Sequence, residues 1–158
     1  MVTATPATVA LAALGIAFIE HGYAHDTANT SFGLEAATVL GLEPARVFKT
    51  LVADVDGTLA VAIVPVSGML DLKTFASVLG AKKAVLADPA MAERRTGYLV
   101  GGISPIGQKT LLRTVLDETA ELFDTVFVSG GRRGFDLELA PHDLIRATTA
   151  VVASIARN

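Results

Sequence analysis

The stretch TLVADVDGTLAVAIV, residues 50–64, decides how the fold is read. It lies within two β-rich arms, residues 47–55 and 58–66, that meet at Asp56-Gly57. A two-residue Asp-Gly connection between such arms is a strong hairpin signal, because a type I′ turn needs positive φ at both central positions. Gly57 adopts that conformation freely and Asp56 tolerates it. Centring the turn there pairs Val55 with Thr58 and, further back, Lys49 with Val64.

The same residues spell Asp54-Val55-Asp56-Gly57-Thr58, an aspartate pair at the end of an apolar strand, as in phosphatases of the haloacid dehalogenase superfamily. Such a site also needs a later lysine and an adjacent acidic pair after a strand ending in Ser or Thr. Ser129 suits the strand end, but beyond it lie Arg132 and Arg133 and no lysine, and Asp136 and Asp143 are not adjacent. The chain would also have to leave the aspartates for a flap and a crossover helix. Here both arms stay β-rich throughout, so the hairpin is the expected structure.

Outward from the hairpin, Gly and Pro punctuate the chain regularly. Thr5-Pro6 opens a helix that Gly15 ends. Residues 16–20 read as a strand, and 33–40 as a helix stopped by Gly41. Residues 71–79 read as a helix stopped by Gly80, and 84–87 as a short strand. Asp88-Pro89 caps a helix ending near Gly97. Residues 98–100, 114–116, 125–129 and 135–139 read as strands, Pro141 opens a last helix, and 151–155 read as a final strand. This irregular order is not a βαβ repeat. It predicts a mixed α/β fold, a curled, largely antiparallel mixed sheet or barrel surrounded by short helices. At 158 residues, the expectation is a single domain spanning 1–158.

Hydrophobic residues make up 51% and charged residues 18%, which excludes a disordered chain. No stretch reaches the roughly 18 apolar residues of a spanning helix. The nearest, residues 7–19, is interrupted by Thr8 and Gly15 and lacks a basic leader, so no signal peptide and a cytoplasmic location are expected. The absence of cysteine excludes disulfides, thiolate zinc sites and a cysteine nucleophile. With a net charge of −3, nucleic acid would have to be held by a local patch. Lys82-Lys83, Arg94-Arg95 and Arg132-Arg133, with Lys109 and Arg113, are the candidates.

Other motifs fall short. GGISPIGQKT, residues 101–110, has P-loop-like glycines, but Gln108 separates Gly107 from Lys109 and Pro105 removes a cradle donor. Ser104 lacks the second glycine of a G-x-S-x-G elbow. His21, His25 and Asp26 do not make a metal set, and no cofactor is expected.

Lys49 is the informative position. Val47, Lys49 and Leu51 share a strand face, and the facing Val64 is apolar. A lysine there snorkels from a sheet edge or meets an anionic partner or ligand. The pairs Gly101-Gly102 and Gly130-Gly131 each follow a strand. They make tight turns or bare N–H groups for an anion or carbonyl oxygen. Asp136 stands where it could receive an ammonium group.

VFKTLVA, LAVAIVPVSGMLDLK, LGAKK, ADPAMAERRTGYLVGGISPIGQK and VFVSGGRRGFDLELAP together resemble the YbaK/EbsC family of aminoacyl-tRNA deacylases. These are relatives of the editing domain of bacterial prolyl-tRNA synthetases. The likeness runs from Tyr23 to the last helix and is nearest to the branch that clears cysteine from proline tRNA. It implies that Lys49 is the essential lysine and that Gly101 shares the catalytic role. It places Tyr23, Ser129, Gly130 and Asp136 around the aminoacyl pocket, with Gly102, Ile103, Ser104 and Pro105 in a lining loop. It further implies that the substrate's own thiol attacks its ester carbonyl, with no protein nucleophile or metal. The hairpin is tighter than in many relatives, which bears on surface contacts. Expected partners are the 3′ aminoacyl end of mischarged tRNA and prolyl-tRNA synthetase, and the expected state is a monomer. Amino-acid choice among Cys, Ala and Ser stays open, with water attack on Ala or Ser esters as one alternative. A non-catalytic module binding tRNA or synthetase is the other.

Overall fold

The computed structural model describes residues 3–158. In chain order the elements are α1 (Pro6–Ala13), β1 (Ile19–Gly22), α2 (Phe32–Leu40), β2 (Phe48–Val55), β3 (Thr58–Pro65), β4 (Met69–Leu70), α3 (Leu72–Val78), β5 (Ala84–Leu86), α4 (Pro89–Thr96), β6 (Arg113–Asp117), β7 (Val126–Arg132), β8 (Phe135–Leu139), α5 (Pro141–Thr148), β9 (Val151–Ala153) and β10 (Ala156–Arg157).

The hairpin forms in the expected register, with Val55 opposite Thr58 and Lys49 opposite Val64. Asp56 and Gly57 have φ of 49° and 90°, the left-handed pair that a type I′ turn demands. Asp54 Oδ1 accepts a hydrogen bond from Gly57 N–H at 2.8 Å. The Asp56 carboxylate accepts from Lys82 and Lys83 N–H at 2.8 and 3.0 Å. Both aspartates are therefore committed to backbone donors of the turn and of the segment entering β5.

The hairpin occupies the middle of a five-stranded sheet, order β5-β2-β3-β6-β9. Pairing is antiparallel across β5, β2 and β3, and parallel across β3, β6 and β9. A second, antiparallel sheet has the order β1-β8-β7, and β4 pairs with β10. A parallel bridge between Val47 and Phe127 joins the start of β2 to β7. The result is the expected curled mixed sheet. The barrel alternative is not formed, because among the described residues β9 and β1 remain free ends of separate sheets.

β3 is buried on both faces. Val61 and Ile63 pack with Leu11 of α1 and with Val128 and Leu137 of the second sheet. Ala60, Ala62 and Val64 face Phe75 and Ala76 of α3. Small side chains on that face let the helix approach at close-packed density. A third patch, including Ala36, Ala37, Val47 and Phe127, seats α2 over the junction of β2 and β7.

Two expectations need correction. Residues 98–100 form a loop, not a strand. Thr96 Oγ1 accepts from Tyr98 N–H at 3.2 Å and Glu93 Oε2 accepts from Val100 N–H at 2.8 Å. Side chains of α4 have thus taken donors that a sheet would use. The first strand begins at Ile19 rather than residue 16, since Ile16 closes the α1 turn through its N–H to Leu11 O at 3.0 Å. No helix among the described residues is long and apolar enough to cross a membrane.

Candidate active site

β2 is paired along its whole length on the β3 side. On its other side it is paired only near its ends. β5 covers residues 53–55, and β7 touches Val47. Val52 O also accepts from Ala87 N–H at 2.9 Å, and between these contacts the strand edge at residues 48–51 opens into a cleft of about 430 Å³. Phe32 from the start of α2, Val100, Gly101 and Ile103 from the loop after α4, and Ser129, Arg132 and Asp136 from β7 and β8 complete its walls.

The polar groups in this cleft are largely unused by the fold. Lys49 is partly buried, and burial lowers its pKa. No carboxylate pairs with it within 4.0 Å among the described residues. Asp136 is only 6% exposed, and burial pushes its carboxyl up to about 7. The Tyr23 phenol is pushed up to about 12, first by burial and then by the charges of Asp136 and Glu35. Thr50 Oγ1 is buried and has no hydrogen-bond partner among the described residues. Polar groups withdrawn from water without partners are costly, and such clusters in a cleft mark functional sites.

The carboxylates beside the cleft, by contrast, are hydrogen-bonded within the fold. His25 Nδ1 and Glu35 Oε1 lie 2.6 Å apart, and Glu35 Oε2 accepts from Asp26 N–H at 2.9 Å. The His25 hydrogen bond is the main cause that holds Glu35 below the usual carboxylate range. Tyr23 N–H donates to Gly134 O at 2.9 Å, fixing the chain beside the β7–β8 turn. His21 Nε2 is 2.8 Å from Glu138 Oε1, and His21 stands opposite Asp136 in the β1–β8 ladder, on the face of β8 that Asp136 and Glu138 share.

Of the site residues expected from the sequence, Tyr23, Lys49, Gly101, Ile103, Ser129 and Asp136 line the cleft together. Gly102, Ser104, Pro105 and Gly130 stand behind it. A Cβ on Gly102 would lie 2.6 Å from Arg132 Cα, and one on Gly130 would lie 2.5 Å from the Phe135 ring. What approaches these glycines is protein. Ser104 is fully buried, and its Oγ accepts from Ile106 N–H at 3.3 Å. Thr50 and Phe32 were not among the expected residues. The cleft opens at a strand edge, so neighbours of both parities reach it, and strand alternation gave no signal for Thr50.

The profile of the aminoacyl-tRNA editing domain matches residues 27–147. The chain belongs to that family. This editing domain is 41% identical over 120 residues to EbsC of Enterococcus faecalis, a protein provisionally named as a Cys-tRNA(Pro)/Cys-tRNA(Cys) deacylase. That match covers 75% of this chain and 73% of EbsC. A shorter likeness, 36% over 73 residues, is to the proline–tRNA ligase of Moorella thermoacetica, covering 46% of this chain and 13% of the ligase. A crystal structure of a candidate trans-editing enzyme for prolyl-tRNA synthetase has the same fold. Its TM-score is 0.81 at 24% identity, and 99% of this chain and 100% of that one are covered. Editing removes a wrongly attached amino acid from transfer RNA, and the chain is accordingly an aminoacyl-tRNA deacylase.

Proposed function

We propose that this editing domain acts in trans to remove cysteine from Cys-tRNA(Pro), with the substrate's own thiol as nucleophile. One observation carries this function. Lys49 and Asp136 face a common cleft whose described lining holds no histidine and no cysteine. Of the hydroxyls in the lining, the two on the strands beside Lys49 and Asp136 are poorly set as nucleophiles. Ser129 Oγ accepts from Gly131 N–H at 3.2 Å, and Thr50 Oγ1 has no base beside it. A group from the substrate fits this inventory better than a side-chain nucleophile.

In this reading Asp136 receives the α-ammonium of the aminoacyl group. The ester carbonyl oxygen lies at the Gly101 N–H. The Lys49 ammonium stands beside the ester and stabilises negative charge as it develops. The cysteine sulfur attacks its own carbonyl carbon. A C–S bond forms, the C–O bond to the terminal ribose breaks, and the thiol proton ends on the ribose oxygen. The products are a four-membered thiolactone and an uncharged tRNA end. The ester is already activated, so positioning and electrostatics suffice. The net charge of −3 favours delivery of the tRNA by a bound synthetase over capture of free tRNA.

The Asp136 carboxyl at about 7 also suits a general base for water attack on Ala or Ser esters. A panel of Cys-, S-methyl-Cys-, Ala-, Ser- and Pro-tRNA(Pro), with and without a chelator, separates the readings. Clearance of the Cys ester alone, unaffected by chelation, is expected. Equal clearance of the S-methyl-Cys ester would replace thiol attack by water. Binding of tRNA without clearance of any ester would make the protein a binding module.

A further inference from the structure

Arg133 lies just outside the cleft and takes no part in the chemistry above. Its Nε and Nη2 both donate to Val100 O, at 3.3 and 2.9 Å. Its guanidinium sits 4.7 Å over the Phe32 ring. The side chain is otherwise exposed and is not part of the cleft wall. Val100 O belongs to the Val100–Gly101 peptide, whose other polar end is the Gly101 N–H. All peptides in the described chain are trans, so the C=O and N–H of that unit point in opposite directions. A guanidinium gripping the carbonyl from outside turns the Gly101 N–H inward.

The neighbouring groups close off other orientations. Val100 N–H is taken by Glu93 Oε2 at 2.8 Å, and Gly102 N–H by Leu99 O at 2.9 Å. Gly101 has φ +92°, and a Cβ there would lie 2.5 Å from Arg133 Nε and 3.0 Å from the Phe32 ring. Glycine at 101 is therefore the residue that lets the guanidinium pass over the backbone to reach Val100 O. A cationic donor on a carbonyl also polarises the peptide and strengthens its N–H as a donor.

We propose that Arg133 is a positioning residue that orients and polarises the Val100–Gly101 peptide, so that Gly101 N–H holds the oxygen of the scissile ester. This rests on the deacylase reading of the cleft given above. The competing role for an exposed arginine at a cleft mouth is a contact to tRNA phosphate, and the test removes that possibility. The substrate is the cysteinyl ester of adenosine, which carries no phosphate. Wild type, Arg133→Ala and Arg133→Lys are compared for kcat and KM, with and without added guanidinium chloride at millimolar concentration.

Arg133→Ala is expected to lower kcat about 10- to 100-fold on this substrate, short of the full loss of an oxyanion donor. KM should change by less than about twofold, and guanidinium should restore part of kcat. Lysine, a point donor, should restore less than guanidinium does. An unchanged kcat with a raised KM, or a defect seen only with whole tRNA, overturns the proposal in favour of a binding role. If the alanine variant does not fold, Arg133→Lys carries the test together with the Gly101 amide resonance. A displaced resonance with reduced kcat supports the proposal, and a wild-type resonance or full kcat overturns it. Wild type inactive on every aminoacyl ester defeats the deacylase reading and this proposal with it. Active wild type matched by an active alanine variant defeats this proposal alone.

Discussion

The Asp56-Gly57 turn and the open edge at residues 48–51 lie at the two ends of β2, and both present polar side chains. At the turn, every carboxylate named by the sequence is bonded to a backbone N–H. At the open edge, Lys49 has no carboxylate, Thr50 Oγ1 has no partner, and Asp136 is buried with its carboxyl pushed up to about 7. The residue types of a phosphoryl-transfer motif stand where nothing remains to bind a substrate. The less conspicuous Lys-Thr dipeptide stands where much does. Availability for chemistry is measured by hydrogen-bond capacity that the fold leaves unused.

That contrast makes opposite predictions for the two regions. Lys49→Ala should lower kcat for Cys-tRNA(Pro) about 10³-fold, the scale of losing one preorganised charge-stabilising group. Thermal melting should show no loss of stability, because the removed amine is partly buried without a partner. A fall in Tm with kcat intact would erase the distinction between the regions.

Asp136→Asn should lower kcat/KM about 10- to 100-fold, through loss of a charged partner for the α-ammonium. In wild type, kcat/KM should rise through about pH 7 as this carboxyl ionises, and the Asn variant should lack that limb. The sign for stability is opposite. The folded-state value of about 7 lies above the ordinary 3.8, so the native state holds the proton longer than the unfolded state. Wild-type stability therefore falls as pH rises from about 4 to about 7, and Asn escapes that loss. Denaturant titrations should show Asp136→Asn gaining on wild type by an amount on the order of 2–4 kcal/mol between pH 4.5 and 8.

Gly101→Ala should cost about 1–3 kcal/mol in stability through its left-handed φ and the crowding by Arg133. It should also lower kcat about tenfold. Asp56→Ala should cost about 1 kcal/mol by releasing Lys82 and Lys83 N–H. Deacylation by this variant should stay within about twofold of wild type. A large rate effect of Asp56→Ala would break the comparison from the other side.

The hairpin was legible to the residue because an Asp-Gly turn of two residues sets register through its own backbone geometry. Once Val55 faced Thr58, Lys49 had to face Val64. The loop at residues 98–100 was not legible, since its aromatic and β-branched residues suit a strand and only the α4 side chains of Glu93 and Thr96 divert its donors. Lys49 stood out as a cation among apolar neighbours, and Asp136 as an acid on a core strand. Ser104 and Pro105 were carried in with a motif whose run Ser104-Pro105-Ile106 is buried behind the cleft wall. Thr50 was missed because the gap between β5 and β7 depends on which strands pair elsewhere, and no local pattern encodes that.

The most direct test is single-turnover deacylation of Cys-tRNA(Pro) by wild type, Lys49→Met and Asp56→Ala, side by side. Methionine keeps a long, unbranched side chain and removes the charge. The expected result is a loss of more than about 100-fold for Lys49→Met, with Asp56→Ala close to wild type. Wild-type turnover by Lys49→Met would contradict the assignment of the open strand edge as the catalytic site.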